Sequence, residues 1–302
     1  MPDPDPLVPD VPALRARLDT AGYLADDALA TALLLSVRMR QPILLEGEPG
    51  VGKTEAARAL ATVLDTALIR LQCYEGLSSA EALYEWNYPR QLLAIRLAES
   101  RGEPLRDADL FTEDYLLPRP LLAAIRHPGP RPAVLLIDEV DRADDEFEAF
   151  LLELLADAAV TVPELGTRTA VMAPVAVLTS NRTRDLHDAL KRRCLYHWIG
   201  YPDTARVAAI VRRRVPDSDE WLAARIARGV GRLRARQDLT KTPGIAEAID
   251  WAAALHALGL TVLDTDAADR TLGAVLKYAE DMDAVRRTGL SELVDAEAGS
   301  DG

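Results

Sequence analysis

Gly47-Glu48-Pro49-Gly50-Val51-Gly52-Lys53-Thr54 has the form G-x-x-x-x-G-K-T, the pattern of a loop that cradles phosphate groups. Pro42-Ile43-Leu44-Leu45-Glu46 before it is a short apolar run that predicts a buried strand. The run from Glu55 to Leu64 after it is rich in Ala and Leu with helical periodicity. Strand, glycine loop and helix form the context the pattern requires. The glycines at 47, 50 and 52 let the backbone wrap close enough for its N–H groups to face phosphate oxygens, and the helix N-terminus adds a favourable dipole. Lys53 supplies a point charge for the β- and γ-phosphates, and the Thr54 hydroxyl is a ligand for Mg²⁺. The expected nucleotide contacts are Gly47, Glu48, Pro49, Gly50, Val51, Gly52, Lys53, Thr54 and Glu55.

A second stretch, Pro132-Ala-Val-Leu-Leu-Ile-Asp138-Glu139, is an uninterrupted apolar run ending in two acids. It predicts a central parallel strand with carboxylates at its C-terminal tip, the edge at which open α/β sheets bind ligands. With a P-loop in the same chain, Asp138 is placed to hold Mg²⁺ and Glu139 to polarise an attacking water. The plainer alternative is a strand end followed by a solvated acidic turn, since Asp141, Asp144 and Asp145 continue the run. A third apolar run, Pro174 to Thr179, ends in Ser180-Asn181. Asn181 would then stand beside the Asp138 tip and orient the γ-phosphate or the water.

The chain has 302 residues, 49% of them apolar and few aromatic, with a net charge of −13. That charge argues against non-specific binding to a polyanion, so nucleic acid is not the expected partner. Cys73 and Cys194 stand far apart in no metal-ligand spacing, which suits a reducing, cytoplasmic setting. No apolar run approaches the roughly 18–20 residues of a membrane span, and residues 1–12 are too rich in Pro and Asp for a signal peptide.

Residues 1–12 read as a flexible lead, followed by helices over Ala13–Leu18 and Ala25–Arg40 and a strand over Ala67–Leu71. The stretch 72–132 is the least regular. It carries short helices over Ser79–Leu83, Gln91–Ser100 and Leu121–Arg126, and the aromatic cluster Leu83-Tyr84-Glu85-Trp86-Asn87-Tyr88. That cluster suits base stacking in principle, but at this charge a core or partner surface is the better reading. Glu146–Ala158 reads as a helix and Val160–Val171 as a β-hairpin turned by Pro163 and Gly166. Asp185–Arg193 reads as a helix ending in Arg192-Arg193. Such a basic pair is ordinarily a solvated helix end, or else an arginine finger for a neighbouring subunit's γ-phosphate. A strand over Cys194–Ile199 follows. Beyond Tyr201 the pattern becomes helical: Thr204–Arg214, Asp217–Gln237, Gly244–Leu258 and Thr265–Arg287. Residues 289–302 are acidic and small, the composition of a disordered tail.

The order of these features resembles that of AAA+ ATPases, over residues from about 15 to 290. In that family's terms 47–54 is similar to Walker A, 134–139 to Walker B, Asn181 to sensor 1, and Arg192 or Arg193 to the arginine-finger position. The resemblance implies an α/β fold, a P-loop NTPase with a parallel-sheet αβα core over 13–201 and a smaller C-terminal helical lid over 202–288. It implies ATP and Mg²⁺ as cofactors and a homo-oligomeric ring, expected to be a hexamer. The irregular 72–130 stretch and the 160–171 hairpin resemble the helix-2 and pre-sensor-1 insertions of the MoxR branch. Leu83–Leu92, Lys191–Ile199 and Pro243–Glu247 resemble its CoxD-like group. That group implies a chaperone for a client metalloenzyme, a molybdenum hydroxylase such as carbon monoxide dehydrogenase, with a von Willebrand factor A-domain protein as partner. The chain departs from the MoxR pattern at Thr242-Pro243-Gly244, where those proteins carry a sensor-2 arginine. Lys241 is the nearest cation and the expected substitute at the nucleotide, although a lysine makes no bidentate phosphate contact. A DNA- or RNA-dependent motor and a nucleotide-gated scaffold with little turnover remain as alternatives.

Overall fold

A computed structural model describes residues 8–102 and 104–294. Contacts divide the chain into two compact units. The first runs to Gly47 and resumes over Lys53–Trp198; the second joins Glu48–Gly52 to the chain from Ile199 onward.

The first unit opens with α1 (Val11–Thr20), which begins inside the stretch read as a flexible lead. Pro12 does not oppose this, because the first helical turn needs no donor from it, and Asp10 accepts from the Ala13 N–H at 2.8 Å to cap the helix. The expected lead over residues 1–7 lies outside the described residues. Next come α2 (Asp27–Met39), β1 (Ile43–Gly47), α3 (Lys53–Val63) and β2 (Leu68–Gln72).

The irregular stretch holds α4 (Ser79–Leu83), β3 (Tyr84–Trp86), α5 (Tyr88–Arg101), α6 (Asp107–Leu110), β4 (Leu116–Pro118) and α7 (Pro120–Ile125). The pairing of β3 with β4, Trp86 opposite Leu116, was not legible in the sequence. Each strand is three residues long, too short to show a period. Trp86 is buried, and Phe111 meets it edge-on with centroids 5.1 Å apart. That ring is core, whereas Tyr88 is exposed.

Then follow β5 (Val134–Asp138), α8 (Asp145–Asp157), the hairpin β6 (Ala159–Val162) and β7 (Gly166–Thr169), β8 (Val175–Ser180), α9 (Asp188–Arg193) and β9 (Leu195–Ile199). Five strands form one sheet in the order β2-β5-β8-β1-β9, with β2–β5, β5–β8 and β8–β1 parallel. Every residue of β1, β5 and β8 is buried, which is why these runs read as continuous apolar stretches. Each buried Leu, Ile or Val contributes about 1.5–3 kcal/mol of transfer free energy. Because the three central strands run parallel, their last residues, Gly47, Asp138 and Ser180, share one edge.

The second unit holds α10 (Thr204–Arg214), α11 (Glu220–Ala235), α12 (Ile245–Ala257), α13 (Thr265–Val275) and α14 (Ala279–Thr288). The single helix expected over Thr265–Arg287 is two. The chain extends at Leu276, which is buried, and the restart lets the buried Asp281 carboxylate accept the backbone N–H groups of Thr240 and Lys241. No Gly or Pro marks this break, so periodicity runs through it. The described start of the expected tail is packed: Leu290–Glu292 forms a 3₁₀ turn, and Leu293 and Val294 are buried. The rest of it, 295–302, lies outside the described residues.

Candidate active site

The P-loop is built as its flanks predict. Gly50 and Gly52 take φ of +79° and +96°, which side chains resist. Lys53 opens α3 and is buried, its ammonium donating to the Gly47 carbonyl at 2.7 Å. Burial pulls its pKa below the usual lysine value, while the carboxylates of Asp141, Asp138, Glu139 and Glu46 act in the opposite direction.

The Thr54 hydroxyl donates to Asp138 Oδ1 at 3.0 Å. The same oxygen accepts from Thr179 Oγ1 at 2.5 Å, and Thr179 Oγ1 in turn accepts from the Glu139 N–H at 2.9 Å. Asp138 Oδ2 accepts from Arg70 Nη2 at 2.6 Å and Nε at 3.0 Å. The side chain of Glu139 meets Gln72 Nε2 at 3.0 Å and Arg142 Nη1 at 3.4 Å. Its backbone sits at φ +56°, an uncommon conformation for a glutamate, held by the Thr179 contact. Asn181 follows β8 directly. Its backbone N–H donates to Asp141 Oδ2 at 3.2 Å, and no hydrogen bond engages its side-chain amide among the described residues.

A hydroxyl and a carboxylate, oxygen donors only, stand within hydrogen-bond distance at Thr54 and Asp138. Among the described residues no three His, Cys, Asp or Glu side chains converge on a metal position. Mg²⁺ is ordinarily held this way, by one or two protein oxygens completed by phosphates and water. The donor set fits it.

Of the basic pair, Arg193 is engaged: its Nη1 donates to the Leu152 carbonyl at 2.6 Å, and its own carbonyl accepts from Gln41. Arg192 is exposed, and its guanidinium makes no hydrogen bond or ion pair among the described residues. In the second unit Lys241 is exposed, and among the described residues only its backbone is held, by Asp281. A side chain of that unit that does meet Glu48 of the loop is Arg234. It pairs with Glu48 at 2.5 Å, donates to the Pro243 carbonyl at 2.9 Å and lies 3.8 Å from the Tyr201 ring centre. Burial pushes the Tyr201 hydroxyl up to about 12.

Sequence reasoning missed Arg70, Gln72, Asp141, Thr179 and Arg234. Thr179 and Ser180 were visible as a polar exit from an apolar strand. Arg70 and Gln72 were visible as polar residues two apart in Ile69-Arg70-Leu71-Gln72. Asp141 read as part of a solvated acidic run, yet it is buried and accepts from Thr183 as well as Asn181. Arg234 had no distinguishing signal among the arginines of α11.

Residues 42–194, half of the chain, match the family of AAA domains of the dynein-related subfamily, and the chain belongs to that family. Among solved structures it is similar to two point mutants of the RuvB protein of Thermotoga maritima. One is 20% identical with a TM-score of 0.51, over 89% of this chain and 75% of that one. The other is 19% identical with a TM-score of 0.52, over 88% and 74%. At such identities the likeness is one of fold. No curated protein matches the chain.

Proposed function

We propose that this chain is a Mg²⁺-dependent ATPase that works as a homo-oligomeric ring, with residues 13–201 as its core and 202–288 as its lid. The observation that carries this reading is the gathering of Lys53, Thr54, Asp138 and Glu139 at one sheet edge, with Thr54 directly on Asp138. Gly47–Glu55 would hold the phosphates, and Thr54 and Asp138 would hold Mg²⁺. Mg²⁺, when bound, neutralises charge on the phosphate oxygens. Lys53 adds a cation, and it already lies within reach of the loop backbone. Glu139 accepts a proton from water, and Asn181 orients the γ-phosphate or that water with its unengaged amide. Arg192 serves a neighbouring subunit better than Arg193, whose guanidinium is spent on α8. In GTPases such a finger is worth about 10³–10⁵ in rate.

The reading extends to the MoxR branch and its CoxD-like group, on the sequence strings given above. A client protein would be remodelled there, with a molybdenum hydroxylase as the expected client and a von Willebrand factor A-domain protein as partner. Exposed Tyr88, Leu92, Leu93 and Leu97 on α5 suit a client contact. Among the described residues no helix is long and apolar enough to cross a membrane.

Glu139→Gln tests the chemistry. It should bind ATP as the wild type does and hydrolyse it about 10²–10⁴ times more slowly. Unchanged turnover would remove Glu139 from its role. The same variant, loaded with ATP, is the bait for the client. Turnover stimulated by DNA and lost steeply with salt would instead identify a nucleic-acid motor.

A further inference from the structure

Arg70 stands on the edge strand β2, with Arg70 opposite Leu136 and Gln72 opposite Asp138 of β5. Strand alternation puts these two polar side chains on one face. The Arg70 guanidinium holds Asp138 Oδ2 through two nitrogens, at 2.6 and 3.0 Å, and also donates to Gln72 Oε1. Gln72 Nε2 then donates to Glu139 Oε2 at 3.0 Å. Arg70, Gln72 and the two acids thus form one connected chain.

Both oxygens of Asp138 are already committed. Oδ1 takes two hydroxyls, and Oδ2 takes the guanidinium. A divalent cation held by this carboxylate, directly or through a water, draws on its oxygens, and a guanidinium on the same carboxylate opposes it by like charge. Arginine cannot relieve that repulsion by losing a proton. The Asp138 side chain is 4% exposed and held from both sides, whereas that of Arg70 is 47% exposed and can swing into solvent. Resting on the Mg²⁺–ATP reading of this site, we propose that Arg70 is a positioning residue that competes with the divalent cation for Asp138. Its release also withdraws a donor from Gln72, one of the two side chains, with Arg142, that meet Glu139. In the metal-free protein this pairing offsets the charge of a buried carboxylate.

The test is a Mg²⁺ titration of ATP binding by calorimetry, on the full chain and its Arg70→Met and Arg70→Lys variants. Arg70→Met should lower the Mg²⁺ concentration that gives half of the affinity gain by about tenfold, the low end for a charge-assisted pair. Arg70→Lys keeps the charge without the two-nitrogen contact, so it should shift in the same direction by about threefold. If Arg70→Met does not fold, the lysine variant decides alone. A midpoint that is unchanged or raised, in a protein whose ATP binding depends on Mg²⁺, overturns the role of Arg70 and leaves the site intact. If the wild type binds no ATP with or without Mg²⁺, the reading of the site itself fails.

Discussion

Gly244 stands where the MoxR resemblance places an arginine, and the structure gives a physical reason for the glycine. A Cβ added there would lie 3.2 Å from the Pro49 carbonyl oxygen, 3.3 Å from Gly50 Cα and 3.0 Å from Glu247 Oε2. The Ile245 N–H donates to the Gly50 carbonyl at 3.2 Å, so the phosphate loop lies against the start of α12. The backbone at 244 has φ −95°, which alanine accepts, so any cost comes from space. The Glu247 carboxylate can give way only by loosening the cap it makes on the Gly244 N–H at 2.8 Å, and the loop backbone can give way only by moving. Overpacking of this kind costs about 1–3 kcal/mol. If that cost falls on the loop shape that receives phosphates, Gly244→Ala weakens ATP binding by about 5–150-fold. Gly244→Arg carries the same Cβ and a longer chain, and should be at least as weak. Calorimetry of Mg²⁺–ATP binding beside urea unfolding measures both costs. If the lid simply lacked an arginine, Gly244→Arg would tighten binding. An arginine variant that binds ATP more tightly than the wild type at unchanged stability refutes the packing argument.

The two finger candidates separate by assay. Arg193→Ala should lower the unfolding free energy by about 1 kcal/mol through loss of its bond to Leu152, whereas Arg192→Ala should leave stability unchanged and abolish hydrolysis that depends on protein concentration. Glu148 is fully buried and accepts from Arg184 and the His187 N–H, so Glu148→Ala should cost about 1.5–3 kcal/mol in urea unfolding. Burial pushes the thiols of Cys73 and Cys194 from 9.0 up to about 12. Between those values the unfolded chain loses protons that the folded chain keeps, so stability should fall as pH rises above about 9. Urea midpoints at about pH 8 and 10 measure the slope, and Cys194→Ala should flatten it.

What was legible in the sequence is what burial on both faces writes into it. The strands Ile43–Gly47, Val134–Asp138 and Val175–Ser180 lie inside the sheet, so each appears as an apolar run with its functional residue at the exit. That pattern alone predicts Lys53, Thr54, Asp138, Glu139 and Asn181 at one edge. The residues that hold those groups were not written in this way. Arg70 and Gln72 belong to an edge strand that is only partly buried, where polar side chains carry no contrast. Asp141 is a carboxylate buried by folding of a loop, and an acidic run looks the same whether solvated or enclosed. Nothing in the spacing of α11 singles out Arg234; what does is the set of groups the fold brings opposite it, among them the Glu48 carboxylate 186 residues away. Spacing in sequence thus locates groups carried by regular elements. Their partners come from register and loop closure, and those are fixed by the packing of the whole unit.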